Sequence, residues 1–117
     1  MINSLDHLQL AIPKGSEEAV RPFYILLGFR ETPKPEALAG RGGFWMTCDA
    51  LELHFGVDPI FAPATKAHPA FIITELDKIV GSLNEAGQGG AWDTKLQNVR
   101  RCFVSDPVGN RIELIAG

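Results

Sequence analysis

Cysteine is scarce in this chain. Cys48 and Cys102 are the only two, they lie far apart, and neither sits in a Cys-x-x-Cys spacing. Neither a disulfide framework nor a thiolate zinc site is indicated, so both read as small packed groups in a reducing compartment. Long apolar runs are missing as well: the best candidate, Phe23 to Leu27, is stopped by Gly28, far short of a membrane span. The first residues lack a basic segment followed by an apolar one. The cytoplasm is the expected location. Basic clusters are also lacking. Arg100-Arg101 is the only basic doublet, and 11 basic against 14 acidic residues leave a formal charge of −3. That argues against a nucleic-acid or anionic-membrane partner and leaves small molecules as the expected ligand class.

What is present suffices for one ordinary domain. The chain has 117 residues, 45% hydrophobic and 21% charged, within the globular range and long enough to bury a core. Leu5 to Ile12 alternates, with Leu8, Leu10 and Ile12 on one face and His7, Gln9 and Ala11 on the other, which is strand periodicity. Pro13-Lys14-Gly15 breaks it. Ser16 then reads as an N-cap, with Glu17 and Glu18 in the first turn of a helix whose stripe is Val20, Phe23, Leu26 and Leu27. Pro22 predicts a kink or a late start, and Gly28 the C-terminal stop. A short strand, Phe29 to Thr32, precedes a Pro-containing loop over 33–42. Gly43 to Cys48 and Leu51 to Gly56 form a hairpin turning at Asp49-Ala50.

Residues 58–66, with Pro59 and Pro63, read as a linker between a module over about 1–57 and one over about 67–117. The plan then repeats. A strand runs from His68 to Thr74, and Leu76, Ile79, Val80 and Leu83 mark a helix ending at Gly87. Further strands follow near Ala91 to Thr94, over Val99 to Ser105 and over Arg111 to Ala116, the last two joined by Asp106-Pro107-Val108-Gly109-Asn110. Each half reads β-α-β-β-β, an α+β domain. The offset is definite: 68 − 7 and 113 − 52 both give 61, and Leu51-Glu52-Leu53 matches Ile112-Glu113-Leu114. Duplication accounts for this better than coincidence.

All three histidines, His7, His54 and His68, lie on polar-facing sides of these strands, as does Glu113. Imidazole and carboxylate are ligands that Fe(II), Ni(II), Zn(II), Mn(II) and Co(II) accept, with positions left open for substrate. Strands are good platforms because their side chains project at fixed angles. His68 precedes Pro69, which biases its backbone toward the extended region.

The strings Leu5-Asp6-His7-Leu8-Gln9-Leu10, His68-Pro69-Ala70-Phe71 and Asp106-Pro107-Val108-Gly109-Asn110-Arg111-Ile112-Glu113 resemble the vicinal oxygen chelate superfamily. That group includes glyoxalase I, fosfomycin-modifying enzymes, extradiol dioxygenases and bleomycin-binding proteins. The resemblance spans the chain, and its most specific part is the terminal Asp-Pro-x-Gly-Asn-x-x-Glu string. It implies a single glyoxalase-like domain over 1–117, with two tandem βαβββ modules forming a curved mixed sheet. It also implies a homodimer and a divalent metal (Ni, Zn, Mn or Fe) held by His7, Glu52, His68 and Glu113. One choice stays open at this point. His54 shares a face with Glu52; the 61-residue offset favours Glu52, while imidazole's affinity for these metals favours His54.

The activity so implied is that of a lyase or isomerase of the glyoxalase type, with Glu113 or Glu52 as proton acceptor. An Fe(II) extradiol-type dioxygenase is the alternative, disfavoured because the only tyrosine, Tyr24, lies on the first helix. Sequestration of a drug or metabolite without chemistry ranks third, since the ligand set is complete. His54, Gln9, Arg101 and Phe103 are the candidates for substrate contact; a solvated Arg beside a core Phe is the plain alternative for the last two. Phe44, Trp45 and Trp92 read as core or dimer packing. Gly42-Gly43 reads as a loop or bulge with no phosphate-binding context.

Overall fold

The computed structural model describes residues 1–117, which divide into two compact units, Met1–Ala62 and Pro63–Gly117. The first contains strand β1 (Leu8–Ile12), helix α1 (Glu17–Leu26), β2 (Arg30–Thr32), a 3₁₀ helix (Glu36–Arg41), β3 (Phe44–Cys48) and β4 (Leu51–Val57). The second contains β5 (Ala70–Ile73), α2 (Leu76–Glu85), β6 (Ala91–Asp93), β7 (Arg101–Ser105) and β8 (Arg111–Ala116). Two four-stranded mixed sheets result, ordered β1-β4-β3-β2 and β5-β8-β7-β6, one from each of the two expected βαβββ modules. In each, the first strand runs parallel to the last and the remaining pairs are antiparallel. A parallel pair needs a crossover, and each helix supplies part of it. No helix is long and apolar enough to cross a membrane.

The apolar phase of each element makes the core of its own unit. In the first, Ile12, Val20, Phe23, Tyr24, Phe29, Phe44, Met46, Leu53 and Phe55 are buried. In the second these are Leu76, Val80, Leu83, Cys102, Val104, Ile112 and Leu114. Tyr24 packs edge-on to Phe23 and against Phe55, so the helix stripe expected through Leu26 and Leu27 instead buries Tyr24 completely.

The helix starts at Glu17 in spite of Pro22, not late. Ser16 does not cap through its side chain; its hydroxyl donates to the Pro13 carbonyl at 2.6 Å. Gly28, at φ +104, ends α1, and Gly87, at φ +75, follows α2, as glycine does where the chain leaves a helix in a left-handed turn. Within residues 33–42, expected as a Pro-containing loop, Glu36–Arg41 form the 3₁₀ helix. They rejoin the sheet through Gly43 at φ +73, where a Cβ would lie 2.0 Å from the Phe55 carbonyl oxygen. Only glycine permits that approach.

The 61-residue repeat is imperfect in one respect. Leu8 pairs with Leu53 and Ala70 with Glu113, separations of 45 and 43 residues. The shift between halves is even, so it keeps every side chain on its face.

Candidate functional site

In the second unit a charged cluster is built on β7 and β8. Glu113 is only 7% exposed. One carboxylate oxygen lies 2.9 Å from His68 Nε2, and the other accepts from Arg101 Nη1 at 3.0 Å. Arg101 also donates to Asp93 Oδ1 at 3.2 Å, across the β6–β7 pair that sets those two residues side by side. Burial alone would raise the Glu113 pKa. The hydrogen bonds and charges of Arg101 and His68 outweigh it and hold the carboxyl below its ordinary range. Phe103, the cross-strand neighbour of Glu113, meets the His68 ring edge-on at 5.2 Å, and the Arg111 guanidinium lies 4.2 Å from the Phe103 ring centre.

His68 carries a chemical constraint. Its Nδ1 lies 2.9 Å from the Lys66 carbonyl oxygen, which can only accept, so Nδ1 carries a proton. Its Nε2 faces a carboxylate oxygen, another acceptor. Either the ring carries two protons, or a cation takes the place of the one on Nε2. Ring Nδ1–H to a backbone carbonyl is the arrangement that orients a metal-bound histidine. Ligand atoms about 2.1 Å from one ion and at right angles to each other lie about 3 Å apart, close to the 2.9 Å seen here. An imidazole and a carboxylate are donors that a divalent cation accepts, and this half brings one of each together.

The first unit is arranged differently. His7 and Glu52 immediately precede the first paired position of β1 and β4, Leu8 with Leu53. The His7 ring stacks on His54 at 4.1 Å, and His54 stacks on Trp45 at 3.7 Å with the rings 3° from parallel. His7 Nδ1 lies 2.8 Å from Asp6 Oδ2. His54, expected on the polar side of its strand, is only 5% exposed because the two rings cover it. Burial, then the nearby His7, lower its pKa against the opposing pull of Glu52 and Asp6. Its Nε2 and the hydroxyl of Thr47, the cross-strand neighbour of Glu52, are buried without hydrogen-bond partners. Two rings stacked nearly parallel direct their in-plane lone pairs side by side rather than at one point. In this geometry His7 and His54 do not share an ion, and Glu52 is exposed.

No group of three or more histidine, cysteine or acidic side chains able to hold a metal ion is brought together in the chain. Of the expected substrate contacts, Gln9 is exposed beside Trp45 and Gly56 at the rim of a cavity, and Phe103 is half-buried against His68. Arg101, far from solvated, is clamped between two carboxylates. The sequence reading missed Asp93, the Lys66 carbonyl and the Trp45 platform. Only a known strand register reveals the first and last, and a backbone carbonyl leaves no trace in side-chain pattern.

No family model and no curated protein matches the chain. Solved structures do. A protein described as of the glyoxalase family, from Bacillus anthracis, is 43% identical over all of this chain and 97% of its own, with a TM-score of 0.93. The chain belongs to the glyoxalase family. It is thereby a member of the vicinal oxygen chelate superfamily. Its glyoxalase fold extends to more distant structures. The fosfomycin resistance protein FosX from Listeria monocytogenes is 18% identical at a TM-score of 0.79, covering 100% of this chain and 95% of its own. A glyoxalase/dioxygenase from Nostoc punctiforme is 24% identical at 0.74, covering 99% and 98%. Those two likenesses concern the fold alone.

Proposed function

We propose that this glyoxalase-family protein is a metal-dependent lyase or isomerase acting on a small substrate with vicinal oxygens. His7, Glu52, His68 and Glu113 would hold the divalent cation, in a homodimer. The observation that carries this reading is the His68 ring, whose Nδ1 faces a carbonyl while its Nε2 faces Glu113. The chemistry supplied by a bound cation would be Lewis-acid polarisation of the substrate oxygens. Arg101 steadies one Glu113 oxygen and leaves the other facing His68. Glu113, or Glu52, which is exposed and carries no hydrogen bond, would take the proton next to the substrate carbonyl on a carboxylate oxygen.

The test is elemental analysis of protein purified without chelators. Wild type is expected to hold nickel, zinc, manganese or iron, and His68→Ala to hold at least tenfold less. Equal content in both would remove the ligand assignment. Isomerisation of the methylglyoxal–glutathione hemithioacetal with added Ni(II) or Zn(II) then examines the lyase reading. Oxygen uptake with catechol and Fe(II) would favour a dioxygenase instead, and tight binding without turnover a sequestering role.

A further inference from the structure

The first unit contains a second feature that the metal ligands do not use. Beneath the β2–β3 connection lies a cavity of about 270 Å³, bordered by Gln9, Lys34, Leu38, Arg41, Trp45 and Gly56 among others. At roughly 30 Å³ for each water it has room for about nine waters, enough to seat a small organic acid. Its walls combine an indole, a primary amide and two cations.

The charges are not balanced. Lys34 donates to the Gly42 carbonyl at 2.5 Å and has the Glu17 carboxylate nearby. Glu17 is itself engaged: its Oε2 accepts from Gly43 N–H at 3.0 Å. Arg41 makes no ion pair and no hydrogen bond, so one guanidinium borders the cavity uncompensated. The cavity on β6 and β7 in the second unit differs on this point. It is also bordered by two arginines, but Arg100 is paired with Asp77 and Arg101 with Asp93 and Glu113.

The frame of the first cavity is firm. Gly43 seats the connection against β4 at a separation that excludes a Cβ. Trp45 is held flat by its stack on His54.

We infer that this cavity binds the oxyanion end of a small organic acid, with Arg41 and Lys34 on the anion, the Gln9 amide as a further donor, and Trp45 against the apolar part. A planar guanidinium matches a carboxylate or phosphate through two parallel N–H donors. An indole face beside an amide suits a short carbon skeleton. This gives the substrate of the proposed reaction a chemical class, and in that respect it rests on the proposed function. The binding itself does not require the metal.

The probe is mandelate, a 2-hydroxy carboxylate with an aromatic ring, titrated into chelator-treated protein carrying Trp92→Phe so that Trp45 is the only indole. Saturable quenching is expected, with mandelamide at least tenfold weaker and inorganic phosphate competing. Arg41→Gln should weaken mandelate about tenfold and Arg41→Lys less, while Arg30→Gln, an exposed cation on β2, leaves it unchanged. Equal affinity for mandelamide, equal weakening by Arg30→Gln, or no saturation would each overturn the inference. If the untreated protein proves metal-free yet Arg41 governs mandelate binding, the metal reading fails and the anion site stands. If metal is present and mandelate does not bind, the reverse holds.

Discussion

The two halves of the chain treat their corresponding carboxylates in opposite ways. Glu113 is buried with both oxygens engaged, by His68 and Arg101. Glu52 is exposed with none engaged, and the order in that half lies one strand position further on, where Trp45, His54 and His7 stack. The ladders make the correspondence explicit. Arg101 stands opposite Ile115, two residues after Glu113, and Trp45 stands opposite His54, two residues after Glu52. A guanidinium therefore occupies in one half the position that an indole takes in the other. Duplication repeats the backbone frame, whereas the residue across the ladder decides whether a carboxylate is clamped or free.

The largest test of this contrast is a pair of truncations. Glu113→Ala removes the partner of a half-buried guanidinium and an imidazole and should cost about 1–3 kcal/mol. Glu52→Ala should stay within about 0.5 kcal/mol. Urea denaturation of metal-free protein measures both, and equal losses would erase the distinction. Next comes Trp45→Ala, expected to cost about 1 kcal/mol through the lost stack. It should also open His54 Nε2 to solvent, which proton NMR of the imidazole would show as faster exchange. An unchanged His54 signal would mean that the indole does not cover it.

The smallest effects are in the pH dependence, and there the halves separate by window. The folded pKa of His54 lies below its ordinary 6.5. Between the two values the unfolded chain binds more protons, so stability falls as pH drops below 6.5. His54→Phe keeps a ring in the stack and should flatten that slope. The folded pKa of Glu113 lies below its ordinary 4.5. By the same sign, its contribution is complete above 4.5 and is lost as pH falls further, a slope that Glu113→Gln should remove. Should each substitution flatten the other's window, the assignment of the windows to the halves is wrong.

Much of the frame was legible in the residues. The hairpin turning at Asp49-Ala50, where Asp49 adopts φ +51, the helix-ending glycines and the Asp106–Asn110 turn all follow from local chemistry. In that turn Asp106 Oδ1 accepts the Val108 and Asn110 amides. The candidate ligands were also legible, because alternation and the 61-residue offset place them on polar faces. What escaped was mostly non-local. His54 alternates like a solvent-facing residue and is buried because Trp45 and His7 meet over it. Arg101, read as a substrate contact or else a solvated side chain, pairs with Glu113. The 3₁₀ helix over Glu36–Arg41 has too little periodicity to announce itself.

Local order thus belongs to the sequence alone: where strands alternate, where helices stop, and which imidazoles and carboxylates share a phase. These depend on backbone preference and on the two-fold and 3.6-fold repeats of single elements. Only the tertiary structure decided which neighbour each of those groups meets. That choice is made across strand ladders between residues 5 to 45 positions apart, whose register depends on how the whole sheet buries its apolar face.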